Sequence, residues 1–151
     1  MRLNTASEVI SLSKEMETAG SKFYQELANA YPEGREKFLD FAKENEKFIK
    51  QIERAYYSVI SDALEGGFAF DLEPEAYRLQ LDGTQNLTIK EKLKLARELE
   101  NKIVAFYEDA AEQSMSLMAD VPKAFKMVVK KRSRRQEMIK AMEAGSDVYT
   151  T

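Results

Sequence analysis

Residues 17–28 read Glu-Thr-Ala-Gly-Ser-Lys-Phe-Tyr-Gln-Glu-Leu-Ala, and residues 100–111 read Glu-Asn-Lys-Ile-Val-Ala-Phe-Tyr-Glu-Asp-Ala-Ala. Both stretches contain Glu-x5-Phe-Tyr, repeated at an offset of 83 residues (Glu17 to Glu100). At helical spacing each glutamate shares its face with apolar residues, which predicts two carboxylates directed towards a core. Such a carboxylate needs a cation or several donors, because leaving it unpaired costs several kcal/mol. The alternative is that each glutamate bends to the edge of the helix packing and stays hydrated.

The composition excludes several classes of chemistry. Among 151 residues there is no cysteine and no histidine, so disulfides, Ser-His-Asp triads and thiolate or imidazole metal ligands are ruled out. Hydrophobic residues make up 44% and charged residues 32% of the chain, as in ordinary soluble globular proteins. No apolar run approaches the roughly 20 residues of a membrane span. Residues 1–25 lack the apolar block of a secretory signal, so we predict a cytoplasmic protein.

Four segments carry the signals of α-helices. Two of them begin with the spacing of a capping box, in which a threonine hydroxyl and a glutamate carboxylate satisfy each other's free backbone amides. The predicted starts, in chain order, are Thr5 to Glu8, Pro32, Thr88 to Glu91, and Asp120 with Pro122. Helix two is predicted to end at about Asp62, and helix four near Gly145, because a glycine suits a helix C-terminus.

A long connector separates helices two and three. It runs from residue 63 to 87, contains several turn-forming glycines and prolines, and has room for one short helix over residues 75–81. The connections within each helix pair are short, which favours antiparallel hairpins. We therefore predict an all-α fold of one domain (residues 1–151). It is a four-helix bundle in which hairpin one (about 5–62) and hairpin two (about 88–144) are joined by the long crossover.

Glu-x5-Phe-Tyr on helices one and three of such a bundle resembles the rubrerythrin branch of the ferritin-like diiron-carboxylate proteins. The resemblance spans about residues 6–143 and includes the Gly-Phe-Ala-Phe stretch of the crossover (67–70). It implies a ferritin-like fold in which helices one and three each provide one Glu. Helices two and four each provide Glu-x-x-His, and the six side chains hold two irons. Proteins of this family reduce peroxide or oxidise iron with dioxygen.

Most of the family's metal ligands are replaced in this chain. A phenyl ring does not coordinate a metal ion and a guanidinium repels one, so the site is predicted to be degenerate. A weaker alternative is a metal site made of Glu17, Asn45 and Glu100. Glu44 and Glu46 are poor substitutes for Asn45, since they point about 100° away on the helix. The six family positions correspond here to Glu17 and Glu100 (single Glu), Asn45 and Arg132 (Glu of Glu-x-x-His), and Phe48 and Arg135 (His).

The two arginines suggest what takes the place of the metal. Two guanidinium groups and two carboxylates sum to zero charge. We hypothesise that Arg132 and Arg135 turn inward and pair with Glu17 and Glu100, because a planar guanidinium binds a carboxylate in bidentate fashion. Phe48 would fill the remaining space. The tyrosines of the repeated motif are predicted to be core packing.

The segment Lys123 to Lys140 contains eight basic residues and one acidic residue, Glu137. A helix this basic is able to bind nucleic acid or another polyanion. The pI of about 5.3 argues against nucleic acid. We therefore expect the outer cations to face the acidic surface of neighbouring helices or of a second subunit, and a functional contact with another protein or subunit is the alternative.

These patterns predict a rubrerythrin-like protein that has lost its diiron site and keeps a non-catalytic structural or regulatory role, with no catalytic residue and no cofactor. We expect a homodimer that associates through helix faces, with no membrane and no nucleic-acid partner. Two alternatives stay open. One is a diiron or single-metal oxidoreductase that holds iron with unorthodox ligands such as Glu17, Asn45 and Glu100. The other is a module that binds small anions in the arginine-lined core.

Overall fold

The protein is helical in the part of the chain that the structure describes, residues 2–59, 70–114 and 120–149. No β-strand occurs in those ranges, so the all-helical prediction is confirmed. None of the described helices contains a stretch long and apolar enough to cross a membrane. This computed structural model contains the α-helices α1 (Ala6–Ala30), α2 (Arg35–Val59), α3 (Ile89–Gln113) and α4 (Asp120–Tyr149).

The N-termini of α1 and α3 are held by the predicted capping boxes. The Oγ1 of Thr5 accepts from the backbone N–H of Glu8 at 3.2 Å, and the Oε1 of Glu8 accepts from the N–H of Thr5 at 3.1 Å. Thr88 and Glu91 repeat the arrangement, with both bonds at 3.1 Å. These backbone donors have no partner inside the helix. The boxes therefore fix where both helices begin, and both predicted starts are confirmed.

The second helix begins later than predicted. Pro32–Gly34 form a 3₁₀ turn, and the α-helix starts at Arg35. The backbone N–H of Gly34 donates to the oxygen of Tyr31 at 3.1 Å, which closes this tight turn before α2. The predicted end at about Asp62 lies outside the described residues. So do residues 63–69, which include most of the Gly-Phe-Ala-Phe stretch of the crossover.

Helix α4 continues past Gly145 to Tyr149, so the predicted end at the glycine is wrong. The Nε of Arg97 in α3 donates to the Oε1 of Glu143 at 2.7 Å and fixes this part of α4 against α3. A glycine inside a helix costs only about 0.5–1 kcal/mol relative to alanine. This cost is small enough for the helix to continue through it.

Neighbouring helices in the bundle are antiparallel. α1 packs against α2 and α3, and α4 packs against α2 and α3. Between α1 and α3, Ser13 contacts Tyr107 whereas Tyr24 contacts Glu100, so residue numbers rise along one helix as they fall along the other. The contacts of α1 with α2, of α3 with α4 and of α2 with α4 show the same antiparallel order of residue numbers.

The connector between α2 and α3 returns along the outside of α1 and α3. Leu72 exchanges backbone hydrogen bonds of 2.7 and 3.1 Å with Leu3, beside the start of α1. Further along, the Nε of Arg78 donates to the Oε2 of Glu15 on α1 at 3.1 Å. Because α3 is antiparallel to α1, it begins where α1 ends. The connector therefore crosses the length of the bundle.

Over residues 75–81, where the sequence has room for a short helix, the structure has a 3₁₀ turn at Pro74–Ala76 and no α-helix. A second 3₁₀ turn of the described part of the connector lies at Thr84–Asn86. The side chain of Tyr77 anchors the connector to α3, where its hydroxyl donates to the Oδ2 of Asp109 at 2.6 Å. A segment tied down at such a point and stretched along two helices has too few residues left to coil into a helix.

Candidate functional site, a buried arginine–glutamate cluster

The six predicted site residues lie together at the centre of the bundle, and we call them the central cluster. Each is at most 1% exposed. Both arginines are among the largest fully buried side chains of the protein. Every helix contributes to the cluster, so the residues come from Glu17 (α1), Asn45 and Phe48 (α2), Glu100 (α3), and Arg132 and Arg135 (α4).

Arg132 bridges the two glutamates. Its Nη1 donates to both carboxylate oxygens of Glu100 at 2.8 Å, and its Nη2 donates to the Oε1 of Glu17. The Nη2 also lies 3.4 Å from the Oδ1 of Asn45. The Cζ of the guanidinium lies 5.1 Å from the centre of the Phe48 ring. One planar group therefore binds two carboxylates from opposite halves of the chain.

Arg135 connects the central cluster to the edge of the bundle. Its Nη1 donates to the Oδ1 of Asn45 at 2.6 Å and, over a longer 3.4 Å, to Glu100. Its Nη2 donates to the backbone oxygen of Phe41 at 3.2 Å and to the Oε1 of Glu44 at 2.7 Å. Glu44 lies at the edge of the central cluster, where the long side chain of Arg135 reaches out to its half-buried carboxylate.

The two tyrosines of the repeated motif donate across the bundle. The hydroxyl of Tyr24 donates to Glu100, and the hydroxyl of Tyr107 donates to Glu17, each at 2.7 Å. The hydroxyl of Ser13 lies 2.7 Å from that of Tyr107. Because the tyrosines occupy the same place in the two repeats, each half of the chain supplies a donor to the glutamate of the other half. They are therefore polar partners as well as core packing.

Asn45 reaches its position because residue 20 is a glycine. The Nδ2 of Asn45 donates to the backbone oxygen of Glu17 at 3.3 Å, which leaves its Oδ1 free to accept from Arg135. A Cβ on Gly20 would lie 2.9 Å from that Nδ2. Since real Cβ atoms do not approach so closely, the missing side chain is what lets α2 place an amide against α1.

Alanine substitutions at two helical glycines should have opposite effects. We expect Gly145→Ala to raise the free energy of unfolding by about 0.5–1 kcal/mol, because a Cβ there meets no atom within 4 Å. We expect Gly20→Ala to lower it by about 1–3 kcal/mol, because the new Cβ displaces Asn45. Urea titrations measure both. Stabilisation by both substitutions would contradict the close approach at Gly20.

The two buried glutamates differ in their electrostatic surroundings. Burial raises the pKa of Glu17 above its usual value, and the attraction of Arg132 only partly opposes this. Burial also acts to raise the pKa of Glu100, but the guanidinium groups of Arg132 and Arg135 hold it below its usual value. Burial acts to lower the pKa of Arg132, yet the two carboxylates raise it, so this guanidinium stays charged.

Several residues that contact the central cluster were not among the predicted site residues. Tyr24 and Tyr107 follow their own glutamates by seven residues, two helical turns, so the repeat itself placed them on the right face. Gly20 lies one turn after Glu17, and a glycine inside a helix is a signal of close approach. The contact of Glu44 depends on how far an arginine side chain extends, and no spacing pattern reveals that.

The donor set at the centre does not suit a metal ion. The oxygens of Glu17 and Glu100 accept from guanidinium and phenol donors, and a positive charge lies between the two carboxylates. Phe48 has no ligand atom. Within the described ranges, no three Asp, Glu, His or Cys side chains gather closely enough to hold a metal ion. These side chains therefore suit neither a six-ligand diiron site nor a metal site made of Glu17, Asn45 and Glu100.

The remaining basic residues of α4 face away from the central cluster. Lys140 pairs with Glu137 of the same helix at 3.7 Å. Four others are exposed, and none of them forms an ion pair with any described residue, so the expected pairing with acidic neighbouring helices is not seen. These four residues are Lys123, Lys130, Lys131 and Arg134.

Comparisons of the chain with protein-family models, with curated protein sequences and with solved structures find no significant match. No relative therefore assigns a role to any residue of the central cluster. The function has to be inferred from the contacts of these side chains and from the topology of the helices that carry them.

Proposed function

We propose that this chain is a rubrerythrin-like, ferritin-like bundle in which the central cluster has replaced the diiron site, and that its role is non-catalytic. The observation that carries the proposal is the position of Arg132 between Glu17 and Glu100. In ferritin-like bundles, glutamates from helices one and three bind the irons. Here a guanidinium supplies the compensating positive charge, and no ligand position between those glutamates is left for a metal ion.

The topology of the bundle supports the ferritin-like part of the proposal. Ferritin-like folds differ from simple up-and-down bundles in having one long crossover between two hairpins. The connector of this chain crosses the length of the bundle, as judged from the contacts of Leu72 with Leu3 and of Arg78 with Glu15. The reciprocal contacts of the two Glu-x5-Phe-Tyr repeats add an internal two-fold relation between the hairpins.

The burial of the central cluster supports a structural or regulatory role. Each of its side chains is at most 1% exposed, so a substrate or a small anion has no access without opening the bundle. The terminal nitrogens of both guanidinium groups are already engaged by protein oxygens. Buried ionic groups of this kind contribute to a specific arrangement of helices more than to net stability, a role that we propose for this cluster.

Metal analysis tests the loss of the diiron site. Protein purified without chelators from cells supplied with iron and manganese should contain less than about 0.1 metal ion per chain by elemental analysis. Its melting temperature should not change on addition of a chelator, because no metal contributes to folding. About two irons per chain, with peroxide-dependent turnover, would overturn the proposal and favour the oxidoreductase alternative.

A variant with the six family ligands restored tests the ferritin-like geometry separately. It carries Asn45→Glu, Phe48→His, Arg132→Glu and Arg135→His, and it keeps Glu17 and Glu100. If the helices have ferritin-like positions, this variant should bind about two Fe(II) or Co(II) ions per chain and become more heat-stable with metal. A folded variant that binds neither ion would contradict the ferritin-like assignment, whatever the metal content of the natural chain.

A further inference from the structure

A groove of about 790 Å³ lies between α2 and α4, on the outside of the bundle and away from the central cluster. Its walls come from the second half of α2 and the first three turns of α4. Apolar side chains form its floor and basic side chains form its rims. The residues that define this groove, which we call the α2–α4 groove, are Ala55, Ala124 and Met127 on the floor, and Arg54, Lys123 and Lys130 on the rims.

The rims carry positive charge that the described part of the chain does not compensate. Arg54, Lys123 and Lys130 are exposed, and none forms an ion pair with a described residue. Asp120 is the one carboxylate among the described residues that line the groove. A ligand complementary to these rims carries several negative charges.

The distribution of the cations favours an extended ligand. Lys123 and Lys130 are two turns apart on α4, about 10 Å along the helix axis, and Arg54 faces them from α2. A fatty acid or another single-headgroup amphiphile presents its charge at one end only. A helix with acidic residues on both sides of an apolar stripe presents charges at this spacing on either rim.

The floor suits a helix as well. Ala55 and Ala124 are small, so a helix backbone is able to approach α2 and α4 closely. Met127 is flexible and adapts to the shape of an apolar partner.

We propose that the α2–α4 groove is the docking site for an acidic amphipathic helix of a partner protein. The proposal goes beyond the function proposed above and does not depend on the central cluster. A second copy of the chain placed face to face on the same groove would set lysines against lysines, so the charges disfavour that arrangement. The partner therefore binds with its own acidic surface, and its binding weakens as salt concentration rises.

Fluorescence anisotropy with a designed peptide tests this proposal on the full chain. The probe is a labelled 18-residue helix with leucines at i, i+3, i+4 and i+7 spacing and glutamates on both sides of that stripe. A matched peptide has lysine in place of every glutamate. We expect the acidic peptide to bind with a Kd below about 100 µM at low salt, and the basic peptide at least about tenfold more weakly.

Charge-reversal variants locate the binding. The pair Lys123→Glu and Lys130→Glu should weaken binding of the acidic peptide at least about fivefold. The control pair Lys22→Glu and Lys94→Glu changes the net charge equally, at exposed positions on α1 and α3, and should leave the affinity unchanged. Circular dichroism verifies that both double variants keep the helical fold.

Several results would overturn the docking proposal. The first is that the acidic peptide does not bind. The second is that the groove and control variants weaken its binding equally. The third is that duplex DNA or a fluorescent fatty acid binds more tightly than the acidic peptide at the same salt concentration. Binding of peptide by a protein that also proved to contain iron would leave this proposal intact while overturning the loss of the diiron site. The two proposals therefore fail separately.

Discussion

Replacement of Arg132 by methionine is expected to lower the free energy of unfolding by about 3–5 kcal/mol. Methionine keeps most of the length of the arginine side chain, so the loss reports the missing charge and hydrogen bonds more than a cavity. It leaves Glu17 and Glu100 buried without their shared guanidinium, and each of these side chains is 0% exposed. Urea titration, followed by circular dichroism, measures the change.

The adjacent residue supplies the control. Lys131 is exposed and forms no ion pair with a described residue, so Lys131→Met should change stability by less than about 0.5 kcal/mol. The difference between the two variants should persist in high salt, because mobile ions screen buried pairs weakly. A loss below about 1 kcal/mol for Arg132→Met would mean that this guanidinium is solvated, contrary to the bridging geometry.

A triple variant shows whether the loss of stability in Arg132→Met comes from the carboxylates that it leaves unpaired. Adding Glu17→Gln and Glu100→Gln to Arg132→Met removes the two carboxylates that the single substitution leaves unpaired. The triple variant should regain at least about 2 kcal/mol relative to Arg132→Met alone, because uncharged groups are cheaper to bury than unpaired ions. Additive losses from the three substitutions would contradict a coupled cluster.

The starts of α1 and α3 could be predicted from the sequence because their signals are local. The capping boxes at Thr5 and Thr88 depend on a spacing of three residues, and the structure contains both. The end of α4 could not be predicted from Gly145. The ion pair of Arg97 with Glu143 holds that part of the helix, and it joins residues that are 46 positions apart. The glycine itself costs the helix only about 0.5–1 kcal/mol relative to alanine, which is too little to end it.

For the central cluster too, the sequence pattern predicted the helix faces but not the individual side-chain contacts. Helical periodicity indicated which faces carry Glu17, Glu100 and the two arginines, and the structure places those side chains together. The exact partners did not follow from periodicity. Arg132 takes both central glutamates, whereas the shortest carboxylate contact of Arg135 is with Glu44 at 2.7 Å. Side-chain length and rotamer decide these contacts, and a helical wheel contains neither.

The position of the arginines also breaks the internal symmetry of the chain. The repeat makes the two halves equivalent at Glu17 and Glu100, and at the tyrosines that bond to them. Helix α2 contributes neutral Asn45 and Phe48, whereas α4 contributes both guanidinium groups. The positive charge therefore comes from one hairpin, and the central cluster forms only when the two hairpins dock. A substitution at either central glutamate therefore tests how much that side chain contributes to the docking of the two hairpins.

Glu100→Gln should destabilise the protein much more than the same substitution at Glu17. At pH 7 we expect a loss of about 2–4 kcal/mol for Glu100→Gln, because the carboxylate accepts from both arginines and from Tyr24. We expect a change within about 1 kcal/mol for Glu17→Gln. The pKa of Glu17 is raised by burial whereas that of Glu100 is lowered, so the fold stabilises the ionised form of Glu17 less and its replacement by a neutral amide costs less.

The pH dependence of the two variants should differ in sign. The pKa of Glu100 is lowered in the folded state, so its contribution is present above the unfolded pKa and is lost as pH falls through the folded pKa. The pKa of Glu17 is raised, so its contribution is present below the unfolded pKa and is lost as pH rises through the folded pKa. From pH 7 towards 5, the wild type should therefore gain stability relative to Glu17→Gln. Below about pH 4 it should lose its advantage over Glu100→Gln. Urea titrations at pH 7, 5 and 3.5 measure both trends, and equal losses for the two variants at every pH would contradict the asymmetry of the cluster.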